Sequence, residues 1–215
     1  PLCLGALLLP QAVTAEENTA SAPPEAAAIP EPLHAESRGR VRIDGKNIDY
    51  RATAGTLEMK NDDGEVIAHY GYTAYVQDGA DSRTRPLLFA YNGGPGSASM
   101  WLHMGILGPQ RTVVEDTAFT TQGPFRYANN EHSILDRADL VMIDPVGTGF
   151  SRAVGKGKSE DFWGVSNDIR TVSDFIARYV TANGRWTSPK YLLGESYGGI
   201  RSGGVAWDLL SRHSI

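Results

Sequence analysis

At 215 residues, with 41% hydrophobic and 21% charged, the chain has ordinary globular content and length enough for one domain with a sizeable core. Twenty Lys and Arg stand against 25 Asp and Glu, a net charge of −5 without a basic cluster, which argues against a nucleic-acid partner. One cysteine excludes an internal disulfide, and no His, Cys or carboxylate cluster at ligand spacing asks for a metal or other cofactor.

The apolar stretch at residues 2–9 is too short for a stable membrane span but suits the core of a secretory signal whose charged start is absent. Val13-Thr14-Ala15 puts small residues where a signal peptidase needs them, so residues 1–15 read as a signal remnant and the protein as exported, periplasmic or extracellular. Cys3 precedes most of the apolar run and is poorly placed to accept a lipid. Residues 16–38, rich in Ala, Pro and Glu without an apolar period, predict a disordered linker, and residues 39–215 the folded domain.

Order is expected from about Arg40. Val41-Arg42-Ile43 and Ile48-Asp49-Tyr50 predict short strands around Asp44-Gly45, and residues 57–76 predict a hairpin turning at Asp62-Asp63-Gly64. Val66, Ala68, Tyr70 and Tyr72 alternate as a half-buried strand requires. The pattern then changes to unbroken apolar runs at residues 87–91, 140–143 and 191–193, which suit parallel strands covered on both faces. Between the last two, Val165, Ile169, Val172, Ile176 and Tyr179 form one helical stripe, with Asn183-Gly184 as its stop. Strand, crossover helix and parallel strand make a βαβ unit, and another helix follows through Val205, Trp207, Leu209 and Leu210.

Gly194-Glu195-Ser196-Tyr197-Gly198-Gly199, placed directly after the third run, reads as a nucleophile elbow between strand and helix. Gly194 and Gly198 flank Ser196 where a sharp turn leaves no room for a Cβ, and the turn lifts the hydroxyl out of the sheet. A serine so placed needs a base to take its proton, an acid to orient the base, and donors for the developing oxyanion. The N–H of Tyr197, at a helix start, is one such donor. Gly157-Lys158-Ser159 ends like a phosphate loop, but Arg152 stands where the first glycine is required, and the segment reads as a solvated loop.

Two more segments accompany the elbow in a fixed order: Asn92-Gly93-Gly94-Pro95-Gly96-Ser97 after the first apolar run, and Asp144-Pro145-Val146-Gly147-Thr148-Gly149-Phe150-Ser151 after the second. Together the three resemble the serine carboxypeptidases, a branch of the α/β-hydrolase fold, from about Tyr70 onward. The resemblance implies an α/β sheet, mostly parallel, with antiparallel N-terminal edge strands and an end before the C-terminal strands. It also implies release of C-terminal residues from peptides or proteins through an acyl-enzyme at Ser196, with Gly94 as second oxyanion donor. Asn92, Gly93 and Glu195 match the clamp for the substrate's α-carboxylate. An esterase or acyltransferase of the same fold, or a non-catalytic binder of C-terminal carboxylates, are the alternatives.

The sequence departs from the family in three respects. Asp144 adjoins Pro145, where many members have one residue between, so Asp144 is assigned no catalytic role. Ser97 and Ala98 stand where many relatives carry a cysteine. Finally, in this fold the acid and the histidine follow the nucleophile. Asp208 and His213 do follow Ser196, but on a helix leading away from it, while His34, His69, His103 and His132 precede it. The expectation is the N-terminal portion of a longer enzyme, with base and acid elsewhere, little turnover on its own and an exposed sheet edge.

Overall fold

A computed structural model describes residues 29–114 and 126–215. The signal remnant and residues 16–28 of the expected linker lie outside the described residues. Order begins earlier than expected: β1 (His34–Ile43) pairs along its whole length with β2 (Lys46–Lys60), taking in the last residues assigned to the linker. The pairing needs only backbone groups, and the outer half of β1 is exposed, so no apolar pattern announces it. Asp44 and Gly45 both take positive φ, 47° and 76°, as a two-residue hairpin turn matching the twist of its strands demands. A second turn at Asn61–Gly64, closed by Gly64 N–H to Asn61 O at 3.0 Å, leads to β3 (Val66–Gln77).

The chain then enters the core as β4 (Leu87–Tyr91), fully buried. A helical turn, α1 (Met100–Leu102), widens into a π-helical turn through Leu107, and a small antiparallel ribbon follows from β5 (Gln110–Thr112) and β6 (Tyr127–Asn129). Next come β7 (Asp139–Ile143), also fully buried, the two-residue β8 (Arg152–Ala153), the long α2 (Val165–Ala182), β9 (Lys190–Gly194) and α3 (Tyr197–Asp208).

Among the described residues the main sheet runs β1-β2-β3-β7-β4-β9, with β8 also on β3. Only β7, β4 and β9 are mutually parallel, so the sheet is mixed, not mostly parallel. Long hairpin-linked strands supply the rest, because a two- to five-residue turn can only reverse the chain. The βαβ unit is present as β7, α2 and β9, with β4 lying between the two strands. β9 departs from the expectation of burial on both faces: it pairs only with β4 among the described residues, and Tyr191 is 55% exposed.

Alternating residues divide the core in two. Phe89, Tyr91, Val141 and Ile143 face Val172, Phe175, Ile176 and Tyr179 of α2, together with Val205 of α3. Leu88, Ala90, Leu140 and Met142 face Leu102, Leu107 and Leu135 on the other side. The amino ends of the parallel strands are tied by buried Asp139, which accepts from Arg85 Nε and Arg185 Nη1, each at 2.7 Å. Their carboxyl ends, at Tyr91, Ile143 and Gly194, carry the three motif loops. In open α/β sheets this is the end where ligands bind.

Candidate active site

Ser196 sits at the bend between β9 and α3 with φ 57° and ψ −122°, a torsion that L residues rarely adopt. Neighbouring backbone enforces it. A Cβ on Gly194 would lie 1.9 Å from Gly198 O, and one on Gly198 would meet Tyr91 O at 3.0 Å, so side chains at either position would open the turn. Helical bonding starts at once, with Gly198 N–H to Glu195 O at 2.8 Å and Gly199 N–H to Ser196 O at 2.9 Å. The serine is exposed.

The loop after β4 lies against this bend. A Cβ on Gly93 would be 2.6 Å from Tyr197 N and 2.7 Å from Glu195 O, so only glycine permits the approach. Gly94 follows with φ 107°. Among the described residues neither the Gly94 nor the Tyr197 N–H is taken up by a hydrogen bond, leaving two donors beside the bend. Tyr197 N–H also has the positive end of the α3 dipole behind it.

Asn92 is buried, and both ends of its amide are engaged. Its Oδ1 accepts from Leu102 N–H at 3.1 Å, and its Nδ2 donates to Glu195 Oε2 at 3.1 Å. Glu195 is exposed, so the pair forms a rim beside the serine with an ordered floor and an open carboxylate. Tyr197 also lines a cleft of about 310 Å³, with Pro95, Val146, Phe162, Trp163 and Val165 among its walls.

The third loop braces the first. Asp144 Oδ1 accepts from both Ser99 N–H and Ser99 Oγ–H at 2.8 Å, tying the end of β7 to the segment after Gly94. Gly149 passes so close that a Cβ there would fall 1.8 Å from Asp144 Oδ2. Ser151 Oγ donates to Asp144 O and accepts from Gly71 N–H at 2.6 Å, which pins the far end of the loop to β3. Asp144 thus holds loops together at the site, a shaping role and not a reacting one. The sequence reading missed buried Arg201 and its partner Asp168; a lone charge on an apolar helix face was the one available signal.

The five histidines are placed elsewhere. His34 and His132 are exposed beside Glu36 and Glu131 at 3.5 and 3.8 Å. His69 is buried in β3. His103 Nε2 lies 2.6 Å from Tyr75 Oη; burial pushes the imidazole below its ordinary value and the Tyr75 phenol up to about 12, so two neutral groups share this hydrogen bond. His213 Nε2 is 3.1 Å from Asp174 Oδ1, outside hydrogen-bond geometry, and Asp208 is held by Arg212 at 2.7 Å. No group of three or more metal-ligating side chains gathers among the described residues, and no described helix is long and apolar enough to cross a membrane.

The family profile described as serine carboxypeptidase matches residues 44–213, which include all three loops. Serine carboxypeptidase-like 36 of Arabidopsis thaliana is 26% identical over 170 residues, covering 78% of this chain and 32% of the relative. Pheromone-processing carboxypeptidase KEX1 of Saccharomyces cerevisiae is 29% identical over 164 residues, 68% of this chain and 20% of the relative. The Cryptococcus gattii protein of the same name is 34% identical over 115 residues, 53% and 16%. The chain spans about a third or less of the length of these relatives.

Proposed function

Since this chain belongs to the serine carboxypeptidase family, we propose that it carries the nucleophilic half of an exported enzyme that removes C-terminal residues from peptides. Ser196 Oγ attacks the last peptide carbonyl while a base accepts its proton. The tetrahedral oxyanion is held by the N–H groups of Gly94 and Tyr197, and the amine leaves with a proton returned by the base. Water then adds to the ester by the same path, releasing the shortened peptide and restoring the hydroxyl. The observation that carries the reading is the close approach of Gly93 to the Ser196 bend, which sets two unoccupied N–H donors beside one exposed hydroxyl.

Asn92 and Glu195 supply the exopeptidase character. The amide donates to the substrate's α-carboxylate, and the Glu195 carboxyl shares a proton with it, since two ionised carboxylates in contact repel. The base and its orienting acid are assigned to chain outside these 215 residues, because in this fold both follow the nucleophile, and the two candidates that do, Asp208 and His213, lie at the end of α3 and just past it, beside Arg212 and Asp174. Export rests on the apolar stretch at residues 2–9 and the small-residue site at Ala15.

The test is fluorophosphonate labelling of the full-length natural protein, with the adduct mapped by mass spectrometry, alongside hydrolysis of a blocked dipeptide and its C-terminal amide. Labelling at Ser196, lost in Ser196→Ala, and preference for the free acid are expected. Adduct formation without release of the terminal residue would point to an esterase or acyltransferase; no adduct would leave a carboxylate binder.

A further inference from the structure

Arg201, one turn into α3, is wholly buried, an expensive place for a guanidinium. Its Nε donates to Asp168 Oδ2 at 2.8 Å, in the first turn of α2, and its Nη1 donates to the carbonyl oxygen of Asn92 at 2.7 Å. The plane lies 5.2 Å from the ring centroids of both Tyr91 and Tyr197. Nη2 is buried and without a partner among the described residues. Stability alone does not account for such an arrangement, because a buried ion pair exchanged for apolar side chains of similar volume is commonly neutral or stabilising. What this one does is join three elements: the last residue before Gly93, the residue after the nucleophile, and the helix behind them.

Resting on the assignment of Ser196 as nucleophile and Gly94 as oxyanion donor, we propose that Arg201 is a positioning residue that sets the rate of acylation by fixing the Asn92–Gly93 peptide plane. The Asn92 carbonyl belongs to the peptide immediately before the one carrying the Gly94 N–H. With no side chain at 93 or 94 to restrain the torsions, an external bond to that oxygen holds the donor in line. Arginine suits this role because its rigid fork reaches the Asn92 carbonyl and Asp168 together, which a lysine ammonium does not reproduce. The Asn92 side chain has its own anchor on Leu102 N–H, so the clamp for the substrate carboxylate is held independently of Arg201.

The experiment compares full-length wild type with Arg201→Met/Asp168→Leu, which removes both charges together, and with Arg201→Lys. The double variant is expected to unfold no more easily than wild type, while kcat for a blocked dipeptide falls about 10- to 100-fold, the effect of a donor displaced by roughly an ångström, and KM changes less than about threefold. Arg201→Lys should fall between the two. Hydrogen exchange supplies a readout independent of turnover: the Ser97 N–H, bonded to Gly93 O at 3.1 Å, should exchange about tenfold faster in the variants while α2 keeps its protection. Unchanged exchange at Ser97 in a folded variant overturns the inference, as does an unchanged kcat. If wild type neither turns over nor labels but exchange rises as expected, the nucleophile assignment fails and the positioning of the loop stands. Should the double variant not fold, the same two outcomes are read from Arg201→Lys.

Discussion

Asn92 Nδ2 donates to Glu195 Oε2 across 3.1 Å, joining the loop after β4 to the residue before Ser196. In the clamp proposed above, a substrate α-carboxylate would meet one amide donor and one carboxyl, and two ionised carboxylates in contact would repel unless a proton lay between them. KM for a blocked dipeptide is therefore expected to rise as pH increases from about 4 to about 8, by tenfold or so, while kcat follows a separate course set by the base. Glu195→Gln, which donates without needing the proton, should flatten the KM profile. A KM indifferent to pH in wild type would remove Glu195 from the clamp.

Gly93→Ala puts a methyl group 2.6 Å from Tyr197 N and 2.7 Å from Glu195 O, where only backbone stands to yield. The loop must retreat and take the Gly94 donor with it. Loss of one oxyanion donor costs about 3 to 4 kcal/mol in the transition state, so kcat should fall at least about 100-fold, with the fold retained. Steady-state kinetics beside far-ultraviolet circular dichroism checks both halves.

His103 lies below its ordinary value of 6.5 because burial disfavours the imidazolium, with Asp144 opposing the shift. The unfolded chain thus binds more protons at this site than the folded one. The contribution of neutral His103 to stability is complete above pH 6.5 and is lost progressively as pH drops below it. The urea midpoint of wild type should fall between neutrality and mild acid. In His103→Gln, whose neutral amide keeps a hydrogen-bonding group near Tyr75, that part of the decline should disappear.

Asp139 holds the guanidiniums of buried Arg185 and partly buried Arg85 at the amino ends of the parallel strands. Asp139→Ala would strand both, and breaking a buried pair in this way typically costs about 3 to 5 kcal/mol. Chemical denaturation should register that loss. Because Asp139 stands at the end of the strands remote from Ser196, KM and kcat of the folded fraction should stay close to wild type.

The elbow was legible because its cause is local. Gly194 and Gly198 stand in the sequence where the bend has no space for a side chain, and the apolar run before them supplies the strand. The Asp44-Gly45 turn and the α2 stripe were legible for the same reason, each being specified within a few residues. Pairing across the chain was not. β1 from His34 to Gly39 alternates polar residues that mark no core, and its register with β2 is carried by backbone groups. The exposure of β9 depends on which strands stand beside it, which Tyr191-Leu192-Leu193 cannot express. Asp139 with Arg185, and Asp168 with Arg201, are 46 and 33 positions apart, and no periodicity connects one charge with its mate.

On the nucleophile role proposed for it, the positive φ at Ser196 sets activity and folding against each other at a single residue. Alanine there keeps the torsional penalty, whereas glycine takes the same torsion freely, so of two inert variants Ser196→Gly should be the more stable, by about 1 kcal/mol. Durability at this position is gained only by giving up the hydroxyl, and a search for hardier variants that ignored activity would drift toward losing the nucleophile first.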